Sequence, residues 1–209
     1  MIDIINFKAM KTNIYEAEIK DEKDFVELAL SFGKPMKSRQ HGIIIDTLIA
    51  VESNIVEKDS LSKRYGLEEF PIHTDCAYLK LPPKYILLRY VGSIENPTPT
   101  GIVHFDKSKL SDEEIDFIQK TIWFVKSKDI GFYSPILKDN ILRYDKEVMK
   151  LVNPKEDKMI DILAKMDRRE IQWYKNKVVV INNHTHLHFR PKIKIEENNK
   201  RILQRINIV

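Results

Sequence analysis

A mainly β fold with flanking helices is what this 209-residue sequence predicts. Six short segments are rich in β-branched and aromatic residues, and three others place apolar residues at helical spacing. Their order is too irregular for repeated βαβ units. Strands this short and numerous suit a sandwich or barrel with helices packed outside it.

The helices come first. Asp21 caps DEKDFVELALSF, in which Phe25, Leu28, Ala29 and Phe32 recur at helical spacing and Gly33 supplies the stop. Ser111 and Glu114 form a capping box ahead of Ile115, Ile118, Ile122 and Val125, predicted to share one helical face. Asn153, Pro154 and Glu156 start a third helix, expected to carry Met159, Ile160, Leu163 and Met166. The strands are HGIIIDTLIAVES, KYILLRYVG, TGIVHFD, EIQWY, KVVVIN and RILQRINIV. Lys175-Asn176-Lys177 separates two of them like a hairpin turn, with Asn176 able to take a left-handed conformation.

Composition narrows the function classes. Hydrophobic residues at 43% and charged residues at 32% fit a globular chain, and no apolar run reaches the roughly 18 residues a membrane span needs. The N-terminal segment lacks the apolar stretch of a signal peptide. One cysteine, Cys76, can form no internal disulfide, so a reducing cytoplasm is the expected compartment. A net charge of +4 is too mild to call for a nucleic-acid partner. Without repeats or low-complexity linkers, residues 1–209 read as a single domain with its β core at about 40–209.

Metal-binding chemistry is suggested by His73 and Asp75 in FPIHTDCAY. On an extended segment, residues two apart face the same way, so an imidazole and a carboxylate can converge on one ion. Two histidines and one carboxylate leave open coordination positions, which suits iron(II) and oxygen. IVHFD holds a second such pair, His104 and Asp106, and NNHTHLHFR offers His184, His186 and His188 as partners. Spacing alone chooses neither among these histidines nor between iron and zinc. In RILQRINIV, Arg201, Leu203, Arg205 and Asn207 share one face, which is either solvent or the inside of a polar cavity. A guanidinium there could bind a carboxylate bidentately.

Together and in order, HTDCAYLKLPPKYILLRYV, PTPTGIVHFD, IQWYKNKVVVINNHTHLHFRP and RILQRINIV resemble the taurine dioxygenase and clavaminate synthase-like superfamily of iron(II)/2-oxoglutarate oxygenases, over about residues 66–209. The resemblance implies a double-stranded β-helix, or jelly roll. It makes His73, Asp75 and His188 the iron ligands, with 2-oxoglutarate and O2 as co-substrates. It puts Thr100 and Arg205 on the far carboxylate of 2-oxoglutarate, with Arg201 as the second arginine of the strand. Retention of Asp75 argues against the halogenase variant of the family. Asn182 stands where the family commonly has Asp, and the short stretch from Thr100 to His188 implies a reduced lid.

The expected substrate is a small molecule, amino-acid-like if Arg143 and Asp145 line the pocket; the bland reading of that pair is a surface ion pair. Tyr78, Trp123 and Trp173 are expected in the core, and Cys76 as a packing residue. Three rivals remain. An alkylation-repair-type nucleic-acid demethylase shares the His-x-Asp pair but spaces its final arginines more widely. A non-catalytic jelly-roll binding protein would not be expected to keep both arginines and the ligands. A zinc hydrolase lacks an obvious general base.

Overall fold

The computed structural model describes residues 14–37, 43–52, 65–126, 130–154 and 157–209. In chain order the elements are β1 (Ile14–Glu18), α1 (Glu22–Phe32), β2 (Asp46–Ile49), β3 (Phe70–His73), β4 (Tyr85–Tyr90), β5 (Thr100–His104), α2 (Asp112–Lys120), β6 (Trp123–Val125), β7 (Phe132–Ser134), β8 (Leu137–Lys138), β9 (Ile141–Leu142), β10 (Met149–Leu151), α3 (Met159–Ala164), β11 (Arg168–Ile171), β12 (Lys177–Asn182), β13 (His186–Arg190) and β14 (Ile202–Ile208).

Two antiparallel sheets make the body. One runs β1-β12-β4-β14-β2 and the other β11-β5-β13-β3. Alternation along the strands decides what each face touches. Ile86, Leu88 and Tyr90 of β4, Val179 and Ile181 of β12 and Leu203 of β14 pack between the sheets against Ile102, Ile171 and Trp173. The opposite set, Leu87, Val178, Val180, Ile206 and Ile208, packs outward against Phe25, Leu28 and Ala29 of α1. Outside the smaller sheet, Val103 and Leu187 meet α2, α3 and a third sheet of order β10-β6-β7. This is the mainly β, jelly-roll architecture expected, with helices bracing its outer faces.

Local signals explain most boundaries. The Asp21 carboxylate accepts from Asp24 N, and the Ser111–Glu114 capping box is formed. The second helix nevertheless stops at Lys120, short of Ile122 and Val125, because Thr121-Ile122-Trp123-Phe124-Val125 favours extended backbone and supplies β6. The third helix is also shorter than expected. It begins at Met159, where the Asp157 carboxylate accepts from the Met159 amide, and Ile160 faces outward at 81% exposed. Pro154 lies ahead of the helix, Met166 is buried beyond its end, and Glu156 is outside the described residues. Of HGIIIDTLIAVES only Asp46–Ile49 pairs as a strand, with His41, Gly42 and Ser53 outside the described residues.

Asn176 does adopt φ 66°, but the turn it makes is not a hairpin. β11 pairs with β5 in one sheet and β12 pairs with β4 in the other, so this turn carries the chain between sheets. Trp173, buried just before it, fills the space between them.

Candidate metal centre

Strand register builds the site. His188 on β13 lies opposite His73 on β3 and opposite Ile102 on β5, so both imidazoles enter the space between the sheets. Asp75 follows at the turn closing β3, where Thr74 N donates to Tyr144 O and Cys76 takes φ 55°. Asn183 holds this turn in place. Its side-chain oxygen accepts from Asp75 N at 2.8 Å, and its Nδ2 donates to Asp75 O at 3.1 Å and Pro83 O at 2.9 Å.

Nε2 of His73 and Nε2 of His188 each lie 3.7 Å from Asp75 Oδ1. The three ligand atoms fall within 4.8 Å of one another, and all three residues are buried. Among the described residues this is the one such group of three. His73 Nδ1 sits 2.9 Å from Pro71 O, a carbonyl that can only accept, so Nδ1 carries a hydrogen. In the neutral ring, Nε2 is then a lone pair aimed at a carboxylate. Lone pairs converging in a dry site repel unless a cation lies between them, so the donor set fits a metal ion.

Electrostatics agree with that fit. Burial pushes the Asp75 carboxyl toward protonation, but Arg205 foremost and then the two imidazoles outweigh it, holding Asp75 well below the usual carboxylate range. Burial and the neighbouring His73 pull His188 down to about 3, with Asp75 only partly opposing, so His188 is a neutral donor. Around neutral pH Asp75 and His188 already hold the protonation states that ligation requires.

The face of β14 that bears Arg201, Leu203, Arg205 and Asn207 looks into the inter-sheet space rather than solvent, since Leu203 packs there while Ile206 and Ile208 pack against α1. The two arginines part company. Arg201 donates through Nη2 to Thr100 Oγ1 at 3.2 Å and through Nε to Thr98 O at 2.8 Å. Arg205 instead reaches Asp75 and Asp46. The structure thus brings Thr100 to Arg201 rather than to Arg205, the reverse of the pairing expected from the family pattern. Thr100 Oγ1 also accepts from Trp173 Nε1 at 3.0 Å. With both acceptor positions filled, the hydroxyl hydrogen is left to donate.

The other expected candidates fall elsewhere. His184 lies in the turn between β12 and β13, not in the strand, with Nε2 3.1 Å from Pro82 O. His186 shares the inward face of His188 but packs against its cross-strand partner His104, ring centroids 4.9 Å apart and planes tilted by 32°. Asp106 caps a short 3-10 turn by accepting from Ser108 N, so His104 and Asp106 do not converge. Asn182 accepts from His184 N, a local role. Arg143 and Asp145 are buried rather than a surface pair: Arg143 donates to the carbonyls of Ala77, Leu79 and Lys80, and Asp145 bridges to His73 through backbone. Trp123 is core as expected, and Tyr78 donates to Cys76 Sγ.

Two site residues escaped sequence reasoning. Asp46 lies opposite Arg205 across β2–β14, and a lone acid within IIIDTLIA was the available signal. Asn183, which sits beside the Asn182 that drew attention, carried no signal of its own.

No family model matches the chain, and no curated protein is similar to it in sequence. Solved structures share its fold. The non-heme iron oxygenase OrfP in complex with Fe and alpha-ketoglutaric acid superposes with TM-score 0.77 at 18% identity, over 98% of this chain and 77% of that one. OrfP with Fe and L-homoarginine gives 0.73 at 17% identity, over 98% and 77%. OrfP with Fe, succinate and (3S)-hydroxy-L-Arg gives 0.72 at 19% identity, over 90% and 66%.

Proposed function

We propose that this chain is an iron(II)- and 2-oxoglutarate-dependent oxygenase of the taurine dioxygenase and clavaminate synthase-like superfamily, acting on an unactivated C–H bond of a small molecule. The observation that carries the reading is the convergence of His73 Nε2, Asp75 Oδ1 and His188 Nε2 from one side of a buried space, with His73 Nδ1 anchored on Pro71 O. OrfP, which shares this fold, has been captured with Fe and alpha-ketoglutaric acid.

His73, Asp75 and His188 would hold the iron. When bound, iron supplies the capacity to activate O2 with the electrons that 2-oxoglutarate provides on losing carbon dioxide. The remaining work falls to the chain's own side chains. Thr100 and Arg201 offer an O–H and a guanidinium from one corner of the inter-sheet space, a fitting pair for the far carboxylate of 2-oxoglutarate. Trp173 and Arg201 fill the acceptor positions of the Thr100 hydroxyl, which would leave its hydrogen for donation to a guest. Asn183 fixes the peptide of Asp75, and Arg205 keeps that carboxylate ionised. Ile102, Leu203 and Trp173 line the same space with apolar surface that excludes water.

For the substrate, OrfP structures contain L-homoarginine and a hydroxylated L-arginine, which supports an amino-acid-like small molecule here. Arg143 is not its handle, because three backbone carbonyls already occupy that guanidinium. A single domain spanning residues 1–209 and a reducing, cytoplasmic home, suggested by the lone Cys76, complete the reading. No helix among the described residues is long and apolar enough to cross a membrane.

Anaerobic titration with iron(II) and then 2-oxoglutarate tests the proposal. The expected result is a weak visible charge-transfer band, lost in Asp75→Asn, followed by succinate release on admitting oxygen. Tight zinc binding with no such band would overturn it in favour of a hydrolase.

A further inference from the structure

We propose that Arg190 is a second cation of the 2-oxoglutarate pocket, completing with Arg201 and Thr100 a site for the far carboxylate. This inference rests on the function proposed above. Arg190 lies two residues beyond His188 on β13, so it shares the inward face with that ligand. The β13–β5 register pairs His188 with Ile102 and ends at Phe189 with Gly101, so Arg190, paired with Phe70 on β3, leaves the ladder at the end of β5 that begins with Thr100.

Its hydrogen bonding is incomplete in an informative way. Nη2 donates to Gly66 O at 2.8 Å and Glu68 O at 2.7 Å, while Nε is buried with no partner. The Glu68 carboxylate is turned away onto Lys192 at 2.8 Å. Arg201 likewise donates only to neutral oxygens, those of Thr98 and Thr100. Among the described residues, neither guanidinium has a carboxylate within ion-pair distance. The buried acid near Arg201 is Glu197, whose oxygens accept from the Thr98 amide and hydroxyl.

In this corner two guanidiniums, Arg201 buried and Arg190 half-buried, stand near one carboxylate, a local excess of one positive charge. Such an excess is costly unless an anion completes it. With only neutral oxygens accepting from them, both guanidiniums gain from a carboxylate brought into the pocket. The far end of 2-oxoglutarate carries a single negative charge, which matches the excess. Arg190 also ties this pocket to the backbone at Gly66 and Glu68, just ahead of the strand that bears His73.

Calorimetry on the Mn(II)-loaded full chain separates a charge role from a structural one. The probes are 2-oxoglutarate and 2-oxobutyrate, which keeps the chelating 2-oxo acid and lacks the far carboxylate. Arg190→Gln retains an amide that can donate to the Gly66 and Glu68 carbonyls and drops the charge; Arg190→Lys keeps the charge. We expect Arg190→Gln to weaken 2-oxoglutarate about 10- to 100-fold and leave 2-oxobutyrate unchanged. Arg190→Lys should stay within about threefold of the parent for both. Unchanged 2-oxoglutarate affinity in Arg190→Gln, or equal losses for both probes, would overturn the inference. Failure of the parent chain to bind 2-oxoglutarate at all would instead overturn the proposed function, and this inference with it.

Discussion

Arg205 clasps Asp75 through one nitrogen, Nη1 lying 3.1 and 3.0 Å from the two carboxylate oxygens, while its Nη2 reaches Asp46 at 2.9 Å. A candidate metal-binding carboxylate is thus already charge-compensated from β14, and the compensating cation is shared with an acid on β2. Register explains the arrangement, since Arg205 lies directly opposite Asp46 and both face the inter-sheet space. Arg205 is held above its ordinary range: burial opposes its charge, but Asp75 leads the groups that outweigh it.

Removing Arg205 therefore exposes the charge it balances. In Arg205→Met the buried Asp75 carboxylate loses its cation, and the metal-free protein should lose about 3 kcal/mol of stability. A divalent ion then becomes the main compensating charge, so Mn(II) should raise the melting temperature more in this variant than in the parent. Asp46→Asn should do the reverse, leaving Arg205 to bear fully on Asp75 and shrinking the Mn(II)-induced rise. Differential scanning fluorimetry with and without Mn(II) reads both, and equal increments in all three proteins would refute the coupling.

Asn183 acts one step further from the ion. Its amide satisfies the Asp75 peptide on both sides, so Asn183→Leu should let the carboxylate swing and weaken iron(II) binding about 10- to 100-fold. Anaerobic competition against a chromophoric chelator measures this. An affinity within twofold of the parent would show the turn to be held by other contacts.

How much of this was legible beforehand depends on the range of the physics involved. Caps are local, and Asp21, Ser111 and Glu114 bond within their own turns as the sequence implied. Alternation is local too, which is why the inward face of β14 was readable as Arg201, Leu203, Arg205 and Asn207 before its surroundings were known. What alternation cannot supply is position along the axis between the sheets. Thr100 therefore met Arg201 and not Arg205, four residues further along the strand. Asn176 likewise gave its left-handed turn faithfully, yet which sheets the turn joins depends on long-range pairing that no window of sequence contains. Spacing left His184, His186 and His188 as alternatives and the family resemblance picked His188; the register of β13 with β3 sets His188 opposite His73.

Acid should unfold the metal-free protein earlier than its composition suggests. His188 titrates at 6.5 ordinarily and at about 3 in the fold, because burial and His73 disfavour its charge. Between these values the unfolded chain binds more protons than the folded one, so stability present above pH 6.5 is lost progressively as the pH falls toward 3. Asp75, also depressed in the fold, removes more at still lower pH. Urea midpoints of chelator-treated protein should therefore decline from pH 7 to pH 4, and His188→Gln should flatten that decline. A parallel decline in the variant would assign the acid sensitivity to other groups.

Thr100 offers the sharpest separation of stability from binding. Its hydroxyl accepts from Trp173 Nε1 and Arg201 Nη2 at once, in a position 4% exposed. Thr100→Val keeps the shape and the β-branch but leaves an indole N–H and a guanidinium N–H without their acceptor. The unsatisfied donors should destabilise the metal-free protein by about 1–3 kcal/mol. Thr100→Ser keeps the hydroxyl and should lose only the smaller contribution of a buried methyl, about 1 kcal/mol. On binding, Val should weaken 2-oxoglutarate about tenfold, because the one hydrogen left to donate is gone, while Ser stays near the parent value. The two readouts are independent, since chemical denaturation measures the first and Mn(II)-supported calorimetry the second. A Val variant that is destabilised yet binds 2-oxoglutarate like the parent would confine Thr100 to holding Trp173 and Arg201 in place. That outcome would leave the far carboxylate to the arginines alone.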